Sequence, residues 1–151
     1  MNFIKFKSPF GVIGIEEKNG SVSRVYLPGQ KPDLPENPGG FLERAKQQFE
    51  EYFAGRRTVF ELPLSFDNCT DFKKLVYSEL LNVKYGETAS YKDIAERIGN
   101  PEACRAVGLA NNKNPLPIIV PCHRIIGSNG KLTGYAGGLE LKEQLLKLER
   151  K

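Results

Sequence analysis

A chain of 151 residues with 40% apolar content is long enough to bury one ordinary core or two small ones, which excludes a disordered or fibrous polypeptide. Its longest apolar runs, such as Ile118 to Val120, fall far short of the ~20 residues a membrane span needs, and Met1-Asn2-Phe3-Ile4-Lys5 lacks the charged-then-apolar order of a signal peptide. An intracellular, cytoplasmic protein without a membrane partner is expected, and a net charge of +4, from 22 basic and 18 acidic residues, is too ordinary a balance to decide for or against nucleic acid.

The first elements read as a small antiparallel sheet: Phe3 to Lys7, a turn at Ser8-Pro9-Phe10-Gly11, Val12 to Glu17, then Asn19-Gly20 leading into Val22 to Leu27. Between Pro28 and Gly40 four prolines and three glycines break every period, which predicts a long, exposed and mobile loop. Phe41, Leu42, Ala45, Phe49 and Phe53 recur at helical spacing and stop before Gly55, so an amphipathic helix packs on the sheet. Thr58 to Leu62 reads as one more strand, and a boundary near Asp67 divides residues 1–66 from 67–151.

In the second half Thr70 caps a helix whose predicted apolar stripe is Phe72, Leu75, Val76, Leu80 and Leu81, ending at the Tyr85-Gly86 turn. Ser90 with Asp93 forms a capping-box pattern that starts a helix over Tyr91 to Ile98, and Gly99 stops it. Asn100 then caps a second helix with Pro101 at its first position, running to about Ala110; two short helices about a glycine turn are the sequence form of a helix-turn-helix. Beyond the proline-rich Asn114-Pro115-Leu116-Pro117 come a strand Ile118-Ile119-Val120, the run Pro121-Cys122-His123-Arg124, a strand Ile125-Ile126 and a final helix over Leu139 to Leu148. The fold class is α+β: a small N-terminal antiparallel sheet with a helix, then a mostly helical C-terminal domain holding the helix-turn-helix and a cysteine loop.

Cys69, Cys104 and Cys122 are odd in number and widely spaced, unlike a disulfide framework or paired zinc knuckles, so no metal is expected. His123 is the only histidine, so any imidazole base is that residue. Its place directly after Cys122 suggests a thiolate activated by a neighbouring base, since the thiolate is the nucleophile. Successive side chains on a strand point to opposite faces, so the two cooperate only if the backbone bends there or water bridges them, and Pro121 favours a bend. Taken alone, such a pair is more often a structural cysteine beside a hydrogen-bonded histidine.

The whole run Asn114-Pro115-Leu116-Pro117-Ile118-Ile119-Val120-Pro121-Cys122-His123-Arg124, with Tyr135-Ala136-Gly137-Gly138-Leu139 and Lys142, resembles the active-site block of the O6-alkylguanine-DNA alkyltransferases. The resemblance extends upstream through Tyr85-Gly86-Glu87, Ser90-Tyr91 and Arg105-Ala106-Val107-Gly108, covering about Phe72 to Glu149. It implies irreversible transfer of an alkyl group from O6 of guanine in DNA to Cys122, one turnover per molecule and without a cofactor. In that scheme His123 acts as base through water, and Glu149 orients the imidazole. Asn114 holds the active-site turn, and Tyr91 donates a proton or hydrogen bond to the base's ring nitrogen. Tyr135 lines the pocket, while backbone around Cys122, Arg124 and Ile125 and the amide of Ala136 recognise the guanine edge.

The second short helix, with Ala103, Ala106, Gly108 and Ala110 around the single long cation Arg105, has too few polar side chains to read a major groove. The resemblance implies minor-groove docking on double-stranded DNA with little sequence preference, Arg105 filling the stack left by a flipped nucleotide, and a monomeric protein. By composition alone the same helix suits plain core packing. Two departures stand out: Ala136 occupies a position where relatives often carry serine, and the N-terminal half contains no cysteine or histidine to match the zinc ligands of some members. A non-enzymatic alkyltransferase-like damage-binding protein is the alternative, and possession of Cys122 argues against it.

Overall fold

The structure, a computed structural model, describes residues 1–150. The chain divides into two compact units, Met1–Asp67 and the residues from Asn68 on.

In the first unit β1 (Asn2–Ser8), β2 (Gly11–Lys18) and β3 (Ser21–Tyr26) form an antiparallel meander in that order. Both central residues of the second turn, Asn19 and Gly20, have positive φ (54° and 79°), the hand that matches the twist of the flanking strands. Alternation buries Ile4, Phe6, Ile13, Ile15 and Val25 beneath α1 (Gly40–Phe53), whose inward face is Leu42, Ala45, Phe49, Tyr52 and Phe53. The Phe6 and Phe49 ring centroids lie 6.0 Å apart across that interface.

Two expectations for this unit need correction. Thr58 to Leu62 is not a strand, because the Gln48 side chain takes both backbone groups of Glu61, accepting from its N–H at 2.8 Å and donating to its carbonyl at 3.2 Å. Phe60 is drawn onto α1 instead, 4.9 Å from the Phe49 ring, and pairing with the sheet is limited to the bridge between Val22 and Leu64. The proline-rich loop is exposed, as expected, but it is tied down. Asn37 exchanges hydrogen bonds with the backbone of Phe3, and Glu36 accepts from Lys5 N–H, so the loop satisfies edge groups of β1 that would otherwise template another strand.

The second unit begins with α2 (Asp71–Leu80), its first turn capped by Thr70 Oγ1 accepting from Lys73 N–H. Its buried face is Val76, Tyr77 and Leu80; Leu75 and Leu81, placed by the sequence in the apolar stripe, are 50% and 45% exposed. Tyr77 replaces them because its hydroxyl has a partner inside, donating to Ala110 O at 2.7 Å, and a tyrosine can be buried when its polar tip is satisfied.

β4 (Ala89–Ser90) leads into α3 (Tyr91–Arg97), which carries the full Ser90/Asp93 capping box. Gly99, at φ 81°, turns the chain toward α4 (Cys104–Asn112). This helix starts later than the sequence predicts: Pro101 and Glu102 lie in a turn closed by Ala103 N–H on Asn100 O, and Asn100 is not its cap.

Ile118 to Val120 is a turn rather than a strand, and Ile118 adopts φ 75°. A 3-10 turn at Cys122–Arg124 follows, then β5 (Ile125–Ile126), parallel to β4. That pairing sets the start of α3 beside the cysteine turn. The last helix, α5 (Leu139–Glu149), buries Leu141, Lys142, Leu145, Leu146 and Glu149 along one face. Among the described residues no helix is long and apolar enough to cross a membrane.

Candidate active site

The loop before the cysteine is organised by one side chain. Asn114 accepts from Leu116 N–H at 2.9 Å and donates from Nδ2 to Val120 O at 2.8 Å, gripping the turn from inside. Pro121 sits at φ −80°, ψ 64°, the inverse γ-turn, and Cys122 N–H accordingly bonds Val120 O at 2.7 Å. The backbone therefore bends at Cys122 and does not run as a strand through the Cys-His pair.

Cys122 is 3% exposed. Burial pushes its thiol up to about 11, against the opposing pull of a hydrogen bond from Asn114 and the charge of Lys142, so the resting group is the protonated thiol at neutral pH. A nucleophile in that state requires a base.

His123 is fully buried, and its Nε2 lies 2.6 Å from Oε2 of Glu149. Burial lowers the imidazole below its ordinary value despite the neighbouring carboxylate, so the ring is neutral near pH 7. Burial alone would raise Glu149, yet hydrogen bonds from His123 and Arg124 and their charges outweigh it and hold the carboxyl at about 2. An ionised carboxylate can only accept, so Nε2 carries the imidazole proton and Nδ1 bears the lone pair. Nδ1 is buried and has no hydrogen-bond partner among the described residues. The ring is thus held as a base whose basic nitrogen is uncommitted.

The Arg124 guanidinium grips the same carboxylate with Nε at 2.8 Å and Nη2 at 3.0 Å, and its Nη1 donates to Val83 O at 2.7 Å. It is 7% exposed, and these three side-chain donors are used inside the fold to fix Glu149, so at this position only the backbone invoked by the resemblance is left for a base edge. Glu149 itself, close to the chain's end, is 3% exposed.

Lys142 projects from the buried face of α5 and is also fully buried. Its Nζ donates to the carbonyls of Ile125, Thr133 and Gly134, joining β5 to the loop that precedes α5. Burial lowers it to about 8, and the ammonium in turn favours ionisation of Cys122.

Tyr91 and Arg105 come together on a cleft of about 400 Å³ lined also by Cys104, Gly108, Asn112, Thr133 and Gly134. A side chain at Gly108 would begin 3.9 Å from the Tyr91 ring, so glycine leaves the wall open. The Tyr91 hydroxyl donates to Thr133 O at 2.9 Å and accepts from Thr133 Oγ1 at 3.3 Å. Arg105 and Ala106 are exposed on α4, Ala136 is exposed in the loop before α5, Tyr135 is half-buried there, and Ile125 is buried in β5.

Sequence reasoning gave no role to Lys142, although a lysine on the inward side of an otherwise apolar helix face was a readable signal. It also missed Asn111, which is 2% exposed and donates from Nδ2 to the carbonyl of Cys122 at 3.3 Å.

Two family models match in sequence. The 6-O-methylguanine DNA methyltransferase ribonuclease-like domain covers residues 3–66, and the 6-O-methylguanine DNA methyltransferase DNA binding domain covers residues 71–151. The chain is 48% identical to the methylated-DNA–protein-cysteine methyltransferase of Methanosarcina acetivorans, over 99% of this chain and 98% of that one. It is 45% identical to the constitutive methylated-DNA–protein-cysteine methyltransferase of Bacillus subtilis, over 95% of this chain and 92% of that one. The structure of Mycobacterium tuberculosis OGT in complex with DNA superposes with a TM-score of 0.93 at 43% identity, covering 99% of this chain and 93% of that one.

Proposed function

The chain belongs to the 6-O-methylguanine DNA methyltransferase family, and from that premise we propose that its one buried cysteine, Cys122, is the alkyl acceptor in direct-reversal repair of DNA. The substrate is O6-alkylguanine in double-stranded DNA. The thiol proton of Cys122 passes to Nδ1 of His123, relayed by water, and the imidazolium is stabilised by Glu149. The sulfur attacks the alkyl carbon, forming the S–C bond as the C–O6 bond breaks. The electron pair stays with guanine, which takes up one proton and leaves as the ordinary base. The sum is thiol plus alkylguanine to thioether plus guanine, with no cofactor. A thioether does not exchange with thiols, so each molecule acts once.

The uncommitted Nδ1 of His123 carries this reading. A neutral imidazole pinned at Nε2 by an ionised carboxylate, beside a thiol too buried to ionise unaided, is what base-assisted thiol attack requires. Asn114 and the ammonium of Lys142 favour the thiolate as it forms. Tyr91, at the cleft, supplies a phenolic donor to the departing base by exchanging its bond to Thr133.

O6 of a stacked guanine cannot reach a cysteine that is 3% exposed, so the nucleotide is swung out of the helix. α4 presents the exposed Arg105 and Ala106 with Gly108, a low surface suited to the minor groove, and Arg105 occupies the vacated stack. Such contacts carry little sequence preference. Tyr135, Ile125 and Ala136 are the candidates for the pocket around the base. The second unit performs binding and transfer, the first supports it, and the protein works as a cytoplasmic monomer.

The test is intact mass after incubation with a duplex carrying O6-methylguanine, followed by peptide mapping. One methyl increment on the peptide containing Cys122 is expected; an unchanged mass, or a methyl on another residue, overturns the assignment.

A further inference from the structure

Asn111 is a buried polar group beside Cys122 to which the proposed reaction gives no part. It lies on α4 one helical turn beyond Gly108 and next to Asn112, both of which line the cleft, while Val107 and Ala110 on its other side are core. Asn111 itself does not line the cleft; it lies behind that wall, covered by it and next to the backbone of Cys122. Its two ends differ. Nδ2 donates to the carbonyl oxygen of Cys122 at 3.3 Å, whereas Oδ1 is buried and accepts from nothing among the described residues. The orientation is forced, because the opposite one would press two acceptors together. A buried acceptor without a donor is unfavourable, and that penalty is relieved when something carrying an N–H arrives.

The chemistry of the substrate limits what that can be. Alkylation at O6 removes the proton from N1 of guanine, leaving N1, N3 and N7 as acceptors. The exocyclic amino group at C2 is then the sole N–H on the base's pairing edge.

Resting on the reading that Cys122 receives the alkyl group from guanine, we propose that Asn111 recognises this amino group. Oδ1 accepts its hydrogen bond while Nδ2 holds the acceptor residue's own carbonyl, so a single amide fixes both partners of the transfer. Asn111 is a specificity determinant for guanine over bases that lack the amino group.

Single-turnover transfer rates on two duplexes test this, one carrying O6-methylguanine and the other O6-methylhypoxanthine, the same base without the amino group. The wild type should react about tenfold more slowly with the second, the loss of one buried hydrogen bond. Asn111→Leu, similar in size but unable to accept, should bring the two rates together. Asn111→Asp keeps the acceptor and loses the donor, so it should retain the discrimination while both rates fall. The rate ratio is internal to each protein, so a general loss of activity does not disturb it; if Asn111→Leu does not fold, Asn111→Ala carries the same comparison. Equal wild-type rates on the two duplexes, or full discrimination surviving in the leucine or alanine variant, overturn the proposal. Absence of methyl on Cys122 from either duplex would instead overturn the proposed acceptor, so the two failures are distinguishable.

Discussion

Oε2 of Glu149 lies 2.6 Å from Nε2 of His123, with neither side chain more than 1% exposed, and this contact selects the tautomer in which Nδ1 is free to take a proton. The same carboxylate receives two donors from Arg124, so one anion orients the imidazole and also neutralises a structural cation.

Replacing Glu149 by glutamine keeps the size and removes the charge, leaving the Arg124 guanidinium buried without its counterion. A loss of about 3–5 kcal/mol is expected in urea denaturation, and a fall of about a hundredfold in the transfer rate measured on the folded fraction. The pH dependence follows from the depressed carboxyl. Glu149 titrates at about 2 when folded against an ordinary 4.5, so its contribution is fully present above 4.5 and disappears as pH falls toward 2. That difference corresponds to roughly 3 kcal/mol, which denaturation curves across this window should show in the wild type and not in Glu149→Gln.

Lys142→Met should be damaging for a different reason. It strips the donor from the carbonyls of Ile125, Thr133 and Gly134 and withdraws a positive charge from Cys122. The lysine titrates at about 8 folded and 10.5 ordinarily, so between these values the unfolded chain binds more protons and stability rises with pH. The Cys122 thiol, raised to about 11 from 9.0, works in the opposite direction from pH 9 upward. Measured in a Cys122→Ala background, the rise above pH 8 should be visible with Lys142 and absent with methionine.

Cys122→Ala should abolish transfer while binding to alkylated duplex, followed by fluorescence anisotropy, stays within about threefold of wild type, since DNA affinity comes chiefly from phosphate contacts. A variant that still removes methyl from guanine would place the acceptor elsewhere, with Cys69 and Cys104 the other two thiols to examine.

Arg105→Ala should slow repair of duplex by about tenfold or more while leaving reaction with a free alkylguanine base nearly unchanged, because filling the vacated stack offsets a few kcal/mol of unstacking. Equal slowing on both substrates would deny Arg105 any part in everting the nucleotide.

Much of this site could be read along the chain because its parts are local. The Ser90/Asp93 capping box, the Asn114 turn and the bend at Pro121 involve residues within a few positions of each other, where spacing and side-chain chemistry determine the outcome. The parts that escaped depend on distant partners. Gln48 and Glu61 meet across 13 positions and dissolve a strand that propensity favoured, and Tyr77 displaces Leu75 from the core because Ala110, 33 residues on, offers its hydroxyl a carbonyl. The burial of the Arg124 side chain escaped because nothing in its neighbourhood reveals that Glu149 will fold back onto it. Asn111 passed unnoticed since its partner is a backbone carbonyl, which has no signature in sequence.

Ile118, a β-branched residue at φ 75°, sits within the turn that Asn114 grips at Leu116 and Val120. A conformation of that kind costs on the order of 1–3 kcal/mol and survives only while its surroundings insist on it. The segment is a cocked catch with one amide as its sear, and that amide also reaches toward the sulfur of Cys122. A thioether there crowds the sear and gives it less to hold. On the proposed reaction, alkylation of Cys122 should therefore lower stability first at this strained turn, so that a molecule that fires once is told apart by its own backbone from one still loaded.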